Sequence, residues 1–543
     1  MGVNDSASSN NQKGSEASML CEKVAIIGLG VTGLTAVKNF TEQGFDVTAY
    51  ERDEYIGGLW QWCANEKRTS VLKSTQSNTS KQYACYQDFP FPEDTPDYPA
   101  ADEVVKYLQA YASHFDLLKR CRLGVNVDRL QRSSNGSQWE LYLSDKNGSH
   151  VARFDKVLYA TGSENVPYTP RVPGMESFRG KLLHSQAFKS PEEFIGRKVV
   201  VVGLSNTGCD TAVELSKFAE IVYFSHRSGA RIVKRITEGR PLDHQMNRRT
   251  MSMLSKVSRW FPRFAAFVVE TLSANKMRKT FPEIDPAWRL LPAPPLESSP
   301  GVMSEEIISK LAAGEVLSLP GIRRFTGDGI ETDDGELVKA EAVIFATGYN
   351  FDYSVLSPEA DPTLTTPEWE KAKYRNGLKF PRLFMTYFSI EFPLSLAFVG
   401  PCDGFSISAY TNGELACQAI AQVWKGGYRL PPQQEMDRWC DENYQMSLKQ
   451  ILKYRVAKTG ASTDELERWL NDAVGNEMNE MLGWGWKGWK FWWNERELYD
   501  LIMDGIDTPF VHRLFEGRPG TRLQWEGARN AIYLANKRTP PFG

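Results

Sequence analysis

The chain has 543 residues, more than one hydrophobic core organises, which predicts about two to four domains. Hydrophobic residues at 41% and charged residues at 24% suit a globular enzyme. The 64 Lys and Arg against 67 Asp and Glu leave a net charge of −3, no field for a polyanion, so nucleic acid is excluded as the expected partner.

Taken in chain order, residues 1–20 are rich in Ser and Asn and read as a disordered tail. Its start, Met1-Gly2-Val3-Asn4-Asp5-Ser6, fits the permissive myristoylation pattern, read here as coincidence; one acyl chain anchors weakly in any case. No charged-then-apolar secretory pattern follows, so the Asn78-Thr79-Ser80 sequon is expected to stay unmodified. Nor does any apolar run approach the ~20 residues of a membrane span. The expected location is the cytoplasm, with peripheral membrane contact left open. Eight cysteines, none in a Cys-x-x-Cys pair, argue against a dithiol or a structural zinc site.

From residue 22 the pattern is strand, glycine turn, helix, strand: Lys23–Ile27, then Gly28-Leu29-Gly30-Val31-Thr32-Gly33, a helix to Gln43, and Val47–Glu51. A polar stretch and the proline-rich turn Phe89–Pro96 follow, then a helix from Ala101 to about His114. Residues Trp139–Asp155 read as a hairpin turning at Asn147-Gly148, and the strand Val157–Ala160 ends at Thr161-Gly162. A second unit repeats the plan with Val199–Val202, Gly203-Leu204-Ser205-Asn206-Thr207-Gly208, a helix and a strand to Ser225. Residues 235–300 read as an irregular insertion. The strand Ala342–Ala346 with Thr347-Gly348 echoes the earlier Ala-Thr-Gly strand, and beyond residue 431 the chain turns helical and Trp-rich.

Glycine loops between a strand and a helix bring backbone amides to a pyrophosphate at a helix N-terminus. One loop implies one dinucleotide; two imply that one cofactor reduces another, a flavoprotein fed by a nicotinamide. Glu51, 18 positions beyond Gly33, is placed to accept from a ribose diol, or else is a solvated strand-end carboxylate. The equivalent position after the second loop holds Arg227, 19 beyond Gly208, a fork suited to a 2′-phosphate and hence to NADP over NAD. Arg231, Lys234 and Arg235 either add to that charge or are solvated. Ser205 stands where a glycine normally lets backbone touch phosphate; its hydroxyl donates to the cofactor or pushes it outward.

Between the loops, residues 178–188 read Phe-Arg-Gly-Lys-Leu-Leu-His-Ser-Gln-Ala-Phe, fitting F-x-G-x-x-x-H-x-x-x-aromatic. With Gly57-Gly58-Leu59-Trp60, Ser77–Lys81, Asp88–Pro92 and Phe345–Tyr349, the chain resembles the flavin-containing monooxygenases, class B, of the dimethylaniline N-oxide-forming type. The resemblance covers about 22–430. It implies an α/β fold of two Rossmann-like domains, with the NADP domain inserted within the FAD domain. The expected bounds are an FAD part at 21–165, the NADP domain at 166–335, a second FAD part at 336–430 and a divergent extension at 431–543.

Residue by residue, the resemblance implies that Asn78, with Ser77 beside it, hydrogen-bonds near the flavin and the nicotinamide ribose; its alternative is an Asx turn. Gly58 and Leu59 join the flavin loop. Trp60 packs beside the isoalloxazine or is a core tryptophan. His184 and Phe188 position NADP and couple the domains without His184 giving a proton. Phe188-Lys189 favours the N- and S-oxygenating branch over Baeyer–Villiger enzymes. The implied chemistry is hydride transfer from NADPH to FAD, addition of O2 at the flavin C4a to give a hydroperoxide, and attack on it by a small amine or sulfide. A ketone-oxidising Baeyer–Villiger enzyme, an uncoupled NADPH oxidase and a degenerate flavoprotein sensor are the alternatives. A homodimer is compatible with all of them. The Trp484, Trp486, Trp489, Trp492 and Trp493 cluster is expected to dock onto the main body, with a channel wall or a membrane-interface belt as alternatives.

Overall fold

The structure is a computed structural model that describes residues 21–296, 299–400, 408–454, 463–517 and 520–537. The expected tail and the Gly2 pattern lie outside the described residues. Two parallel sheets dominate. In the first, the strand order is Leu383–Phe384, Phe388–Ser389, Leu396–Phe398, Lys156–Tyr159, Lys23–Ile27, Asp46–Glu51 and Cys121–Leu123. Its last five strands run parallel, and the first two add an antiparallel edge. The second sheet orders Val316–Leu319, Ile221–Ser225, Lys198–Val202, Ala342–Phe345 and Lys181–His184, all parallel.

Sequence dictates this plainly at the centres. Val24, Ala25 and Ile26, like Val199, Val200 and Val201, are fully buried. In each unit helices cover one face of the sheet and a three-stranded antiparallel sheet covers the other, residues 126–154 against Ala25 and Ile27 and residues 322–339 against Val200 and Val343, so both sets of alternating side chains must be apolar. Lys23–Ile27 meets Asp46–Glu51 on one side and Lys156–Tyr159 on the other; Lys198–Val202 is flanked in the same way by Ile221–Ser225 and Ala342–Phe345. The expected hairpin turns between Asp145 and Gly148, and a third strand, Asn126–Arg132, widens it.

Three expectations are corrected. The return to the first unit does not come at residue 336, because Ala342–Phe345 lies inside the second sheet. The repeated Ala-Thr-Gly marks the end of one strand in each unit rather than two strands of one sheet. The chain leaves the first sheet through Val166–Pro167 and returns through Tyr349–Asn350, and these segments pair antiparallel as a two-stranded connector. Second, residues 235–300 are not irregular: they hold the helices Arg248–Trp260 and Pro262–Thr280. In Pro262–Thr280 the exposed Phe264 and Phe267 spoil the usual one-sided apolar period. Third, the segment beyond 431 is no appendage. Trp469, Leu470, Phe491 and Ile532 share one core with Ile26 and Leu34.

Charge pins that segment as well. Asp88 accepts from Lys38 Nζ at 2.6 Å and Arg522 Nη2 at 2.7 Å, and Arg513 joins the pair. Burial alone would raise the Asp88 carboxyl, yet Arg522, Lys38 and Arg513 hold it well below the usual carboxylate range. Removing one partner of such a buried cluster strands a charge, which typically costs about 3–5 kcal/mol.

Candidate dinucleotide sites and the hinge between them

At the carboxyl end of Lys23–Ile27 the chain turns at Gly28, φ +101°, where a Cβ would sit 2.5 Å from the Ala160 carbonyl. Only glycine fits there. A Cβ on Gly33 would fall 1.9 Å from Gly28 O, so the helix Val31–Glu42 starts flush against the strand. Gly58, φ +57°, comes up from the one-turn helix Gly58–Trp60, and its Cβ would meet Gly30 Cα at 3.1 Å. Gly30 and Gly58 therefore face each other backbone to backbone over the helix N-terminus. That is the cradle a pyrophosphate requires. Val31 O accepts from Tyr86 Oη at 2.6 Å, and Thr32 lies against Gly413, so the loop is braced from behind. Leu59 and Trp60 are half-buried, Trp60 against the first core.

Glu51 is buried, which rules out the solvated reading. Its Oε2 accepts from Leu29 N at 2.8 Å and its Oε1 from Asp53 N at 3.1 Å. Burial raises its carboxyl despite those two amides. The carboxylate thus sits within one bond of the loop, where a ribose on that cradle would lie.

The second cradle repeats the first. Gly203, φ +115°, would place a Cβ 2.4 Å from Ala346 O, and Gly208 would place one 1.9 Å from Gly203 O. Ser205 adopts φ −139°, ψ 177°, an extended conformation open to any residue, and its side chain accepts from Gly208 N at 3.3 Å. It is the N-cap of Asn206–Leu215, and so is turned onto the helix rather than outward. Asn206 Oδ1 accepts from Met303 N, and Leu204 and Thr207 complete the turn. Arg227 stands exposed at the end of Ile221–Ser225. The other three cations do not join it. Arg231 is buried on Glu270 and Ser273, Lys234 lies over the Phe281 ring, and Arg235 points to the first unit.

The hinge joins the two. Thr161-Gly162 abuts Gly28, and Thr347-Gly348 abuts Gly203, with Gly162 at φ +82° and Gly348 at φ +85°. Asn165 Nδ2 donates to Thr161 O and Gly162 O, while Thr347 Oγ1 donates to Tyr168 O. His184 Nδ1 accepts from Gln186 N, which leaves the Nε2 proton for Gly348 O at 3.0 Å. Burial lowers the His184 ring to about 4, so it is neutral near pH 7 and serves as a strut. The fingerprint also crosses between units: Gln186 Nε2 donates to Thr69 Oγ1 and Lys189 Nζ to Arg68 O, while Phe188 stays in the second core.

Asn78 is exposed and makes no Asx turn; its Oδ1 accepts from Arg235 Nη2 at 3.0 Å. Arg235 Nε donates to Ser77 O at 2.9 Å, Nη2 also reaches Gln76 O, and Nη1 is paired to Glu305. Ser80 N donates to Asp243 Oδ2 at 2.6 Å. His244 Nε2 lies 3.2 Å from Ser80 Oγ, so one strip of the first unit, 76–80, is gripped by three residues of the second. Sequence reasoning missed Arg235 in this role, since no local spacing relates it to a residue 157 positions away. It also passed over Asp210, whose carboxyl burial pushes up to about 6 against the pull of Arg235.

Comparison with known proteins agrees with this geometry. A family model described as flavin-binding monooxygenase-like matches residues 21–540, beyond the 22–430 that the sequence resemblance covers. The chain is 37% identical over 517 residues to a monooxygenase, aurF, of Gibberella zeae, covering 94% of this chain and 97% of that one. It is 30% identical to the N-oxide-forming dimethylaniline monooxygenase 4 of Homo sapiens, covering 96% and 88%. Among solved structures, the S-allyl-L-cysteine S-oxygenase of Allium sativum aligns at TM-score 0.60 and 22% identity, over 84% of this chain and 89% of that one. OTEMO in complex with FAD and NADP also aligns at 0.60, with 17% identity over 84% and 98%. The chain belongs to the flavin-binding monooxygenase family: it is a flavin-dependent monooxygenase, with FAD and NADP(H) as its cofactors.

Proposed function

We propose that this enzyme oxygenates a soft nucleophile, an amine nitrogen or a sulfide sulfur of a small molecule, with FAD on the Gly28–Gly33 cradle and NADPH on the Gly203–Gly208 cradle. When bound, FAD reduced by NADPH supplies the oxygen-activating chemistry, with O2 as co-substrate. The chain's own residues do the rest. Gly30, Gly58 and Glu51 fit the pyrophosphate and ribose of one dinucleotide; Ser205, Thr207 and Arg227 fit the phosphates of the other. Asn78 carries the reading. With Oδ1 held by Arg235, its Nδ2 has no hydrogen-bond partner among the described residues and is free to donate to a bound cofactor.

The grip of Arg235 and Asp243 on 76–80 bears on coupling, because in a site open to water the O2 reduced by the flavin leaves as hydrogen peroxide instead of entering the product. The N- and S-oxygenating branch is supported by the names of the dimethylaniline relatives and by Phe188-Lys189. The purified enzyme should bleach with NADPH under anaerobic conditions. It should then show a transient absorbance band on an oxygen pulse and convert a tertiary amine or a thioether. Ketone turnover without amine or sulfide turnover would favour the Baeyer–Villiger alternative instead. Arg235→Met should keep flavin and reduction by NADPH while raising the peroxide fraction of oxygen consumed several-fold.

A further inference from the structure

A short path of bonds runs from the second cradle to Asn78. Asn206 stands in that cradle where the first holds Val31, which has no side-chain amide. Its Oδ1 accepts from Met303 N at 2.8 Å, and its Nδ2 has no partner among the described residues. Met303 belongs to a two-stranded parallel ribbon, Val302–Met303 with Ile232–Val233. Val302 N donates to Arg231 O at 2.8 Å and Ser304 N to Val233 O at 3.1 Å. Two residues past each strand the partners meet again. Glu305 Oε1 accepts from Arg235 N at 2.8 Å, and Oε2 from Arg235 Nη1 at 2.5 Å. A two-point, charge-assisted contact of this kind fixes direction as well as distance.

From Arg235 the path leaves the second unit. The buried guanidinium donates through Nε to Ser77 O and through Nη2 to Gln76 O and Asn78 Oδ1. Tyr98 Oη of the first unit donates to Arg235 O at 2.8 Å, so the main chain is held there too. Asp210, one turn beyond Asn206 on the cradle helix, feels the Arg235 charge but makes no hydrogen bond to it among the described residues. The direct contact falls to Glu305. The two ends of the path match: Asn206 and Asn78 each spend Oδ1 on it and each keep Nδ2 for a ligand. An amide whose oxygen is engaged is held against flipping.

We propose that Glu305 is a positioning residue that ties the filling of the second cradle to the order of the strip carrying Asn78. The inference rests on the assignment of that cradle to NADP(H). A phosphate that takes Asn206 Nδ2 leaves the amide one orientation, which firms its bond to Met303 N. The ribbon is then held where Glu305 aims Arg235, and Arg235 holds Gln76, Ser77 and Asn78. Coupling of this kind needs only a stiffening of contacts already made. By linkage the converse holds as well: an ordered strip favours a filled cradle.

The test is amide hydrogen exchange in the full-length holoenzyme with 2′-phosphoadenosine 5′-diphosphate. This probe carries the phosphates of NADP without the second ribose or the nicotinamide, so it does not bring those groups to the strip. In the unaltered enzyme it should slow exchange at 203–208 and, about fivefold or more, at 76–80. Glu305 is 43% exposed, so Glu305→Ala opens no buried cavity. That variant should keep the slowing at 203–208 and its affinity for the probe within about threefold, yet change exchange at 76–80 by less than about twofold. Arg235→Met should lose the same response, and the double variant should lose no more than either, as members of one path do. Equal slowing at 76–80 in the unaltered enzyme and in Glu305→Ala overturns the inference. So does slowing confined to 203–208 in the unaltered enzyme. No slowing at 203–208 is a different result: it removes the NADP(H) assignment of the cradle, and this inference falls with it.

Discussion

The two cradles are built on one plan and differ at two positions, Gly30 against Ser205 and Val31 against Asn206. Gly28 and Gly203 turn in the left-handed region against the neighbouring strand's last carbonyl, and Gly33 and Gly208 press against those turns at the same 1.9 Å. In the middle, however, Gly30 faces Gly58 across the first loop, while Ser205 in the second caps its own helix. A glycine is required at the middle position where a second backbone segment closes over it. Where none does, an extended residue with a capping side chain serves as well. The apparent defect at Ser205 is thus a difference in what lies above the loop.

The largest expected effects test the division of labour. Gly33→Val and Gly208→Val introduce the same clash, each costing about 3 kcal/mol or more. Gly33→Val should give colourless protein, whereas Gly208→Val should give yellow protein that NADPH fails to bleach. Identical spectra from the two would break the assignment of one cradle to each dinucleotide.

Next comes acid. Burial and the neighbouring Arg248 hold the His512 ring down to about 3, within the core that backs the first cradle. The fold prefers the neutral ring, so stability is full above pH 6.5 and is lost as pH falls from 6.5 toward 3, by about 3 kcal/mol at pH 4. His512→Gln should flatten that part of a denaturation-versus-pH series. An unchanged slope would place the acid sensitivity elsewhere.

Arg227→Glu removes a cationic fork worth about 2 kcal/mol and should raise the KM for NADPH roughly tenfold or more while sparing NADH. Equal loss with both nicotinamides would mean that Arg227 does not read a 2′-phosphate. The smallest effect belongs to Ser205→Gly. Replacing a serine cap by glycine costs only a few tenths of a kcal/mol, and the rate of flavin reduction should stay within about twofold.

Much of the site was legible because it is local. The φ > 0 turns, the short helix starts and the Glu51 and Arg227 positions all follow from spacing along a strand–loop–helix unit. What escaped was non-local. Arg235 reads as one more cation near the second loop until the fold carries it to Asn78, and Lys189 reads as a branch marker until it is seen holding Arg68 O. Ala342–Phe345 looked like part of the first sheet because the same Ala-Thr-Gly turn ends a strand in both. The tryptophan cluster misled for a different reason: Trp484, Trp486, Trp489 and Trp493 stand exposed rather than docked, because apolar composition does not say what covers a residue.

By itself, then, the sequence determined the two cradles, their order, the carboxylate and the arginine that distinguish them, and the α/β plan that sets both at strand ends, because each is written in runs of fewer than about thirty residues. Only the tertiary structure decided where the units meet, which side chains reach across, and that the last hundred residues complete the first core. Those are contacts between residues far apart in the chain, and they depend on how all the units pack together rather than on any local pattern.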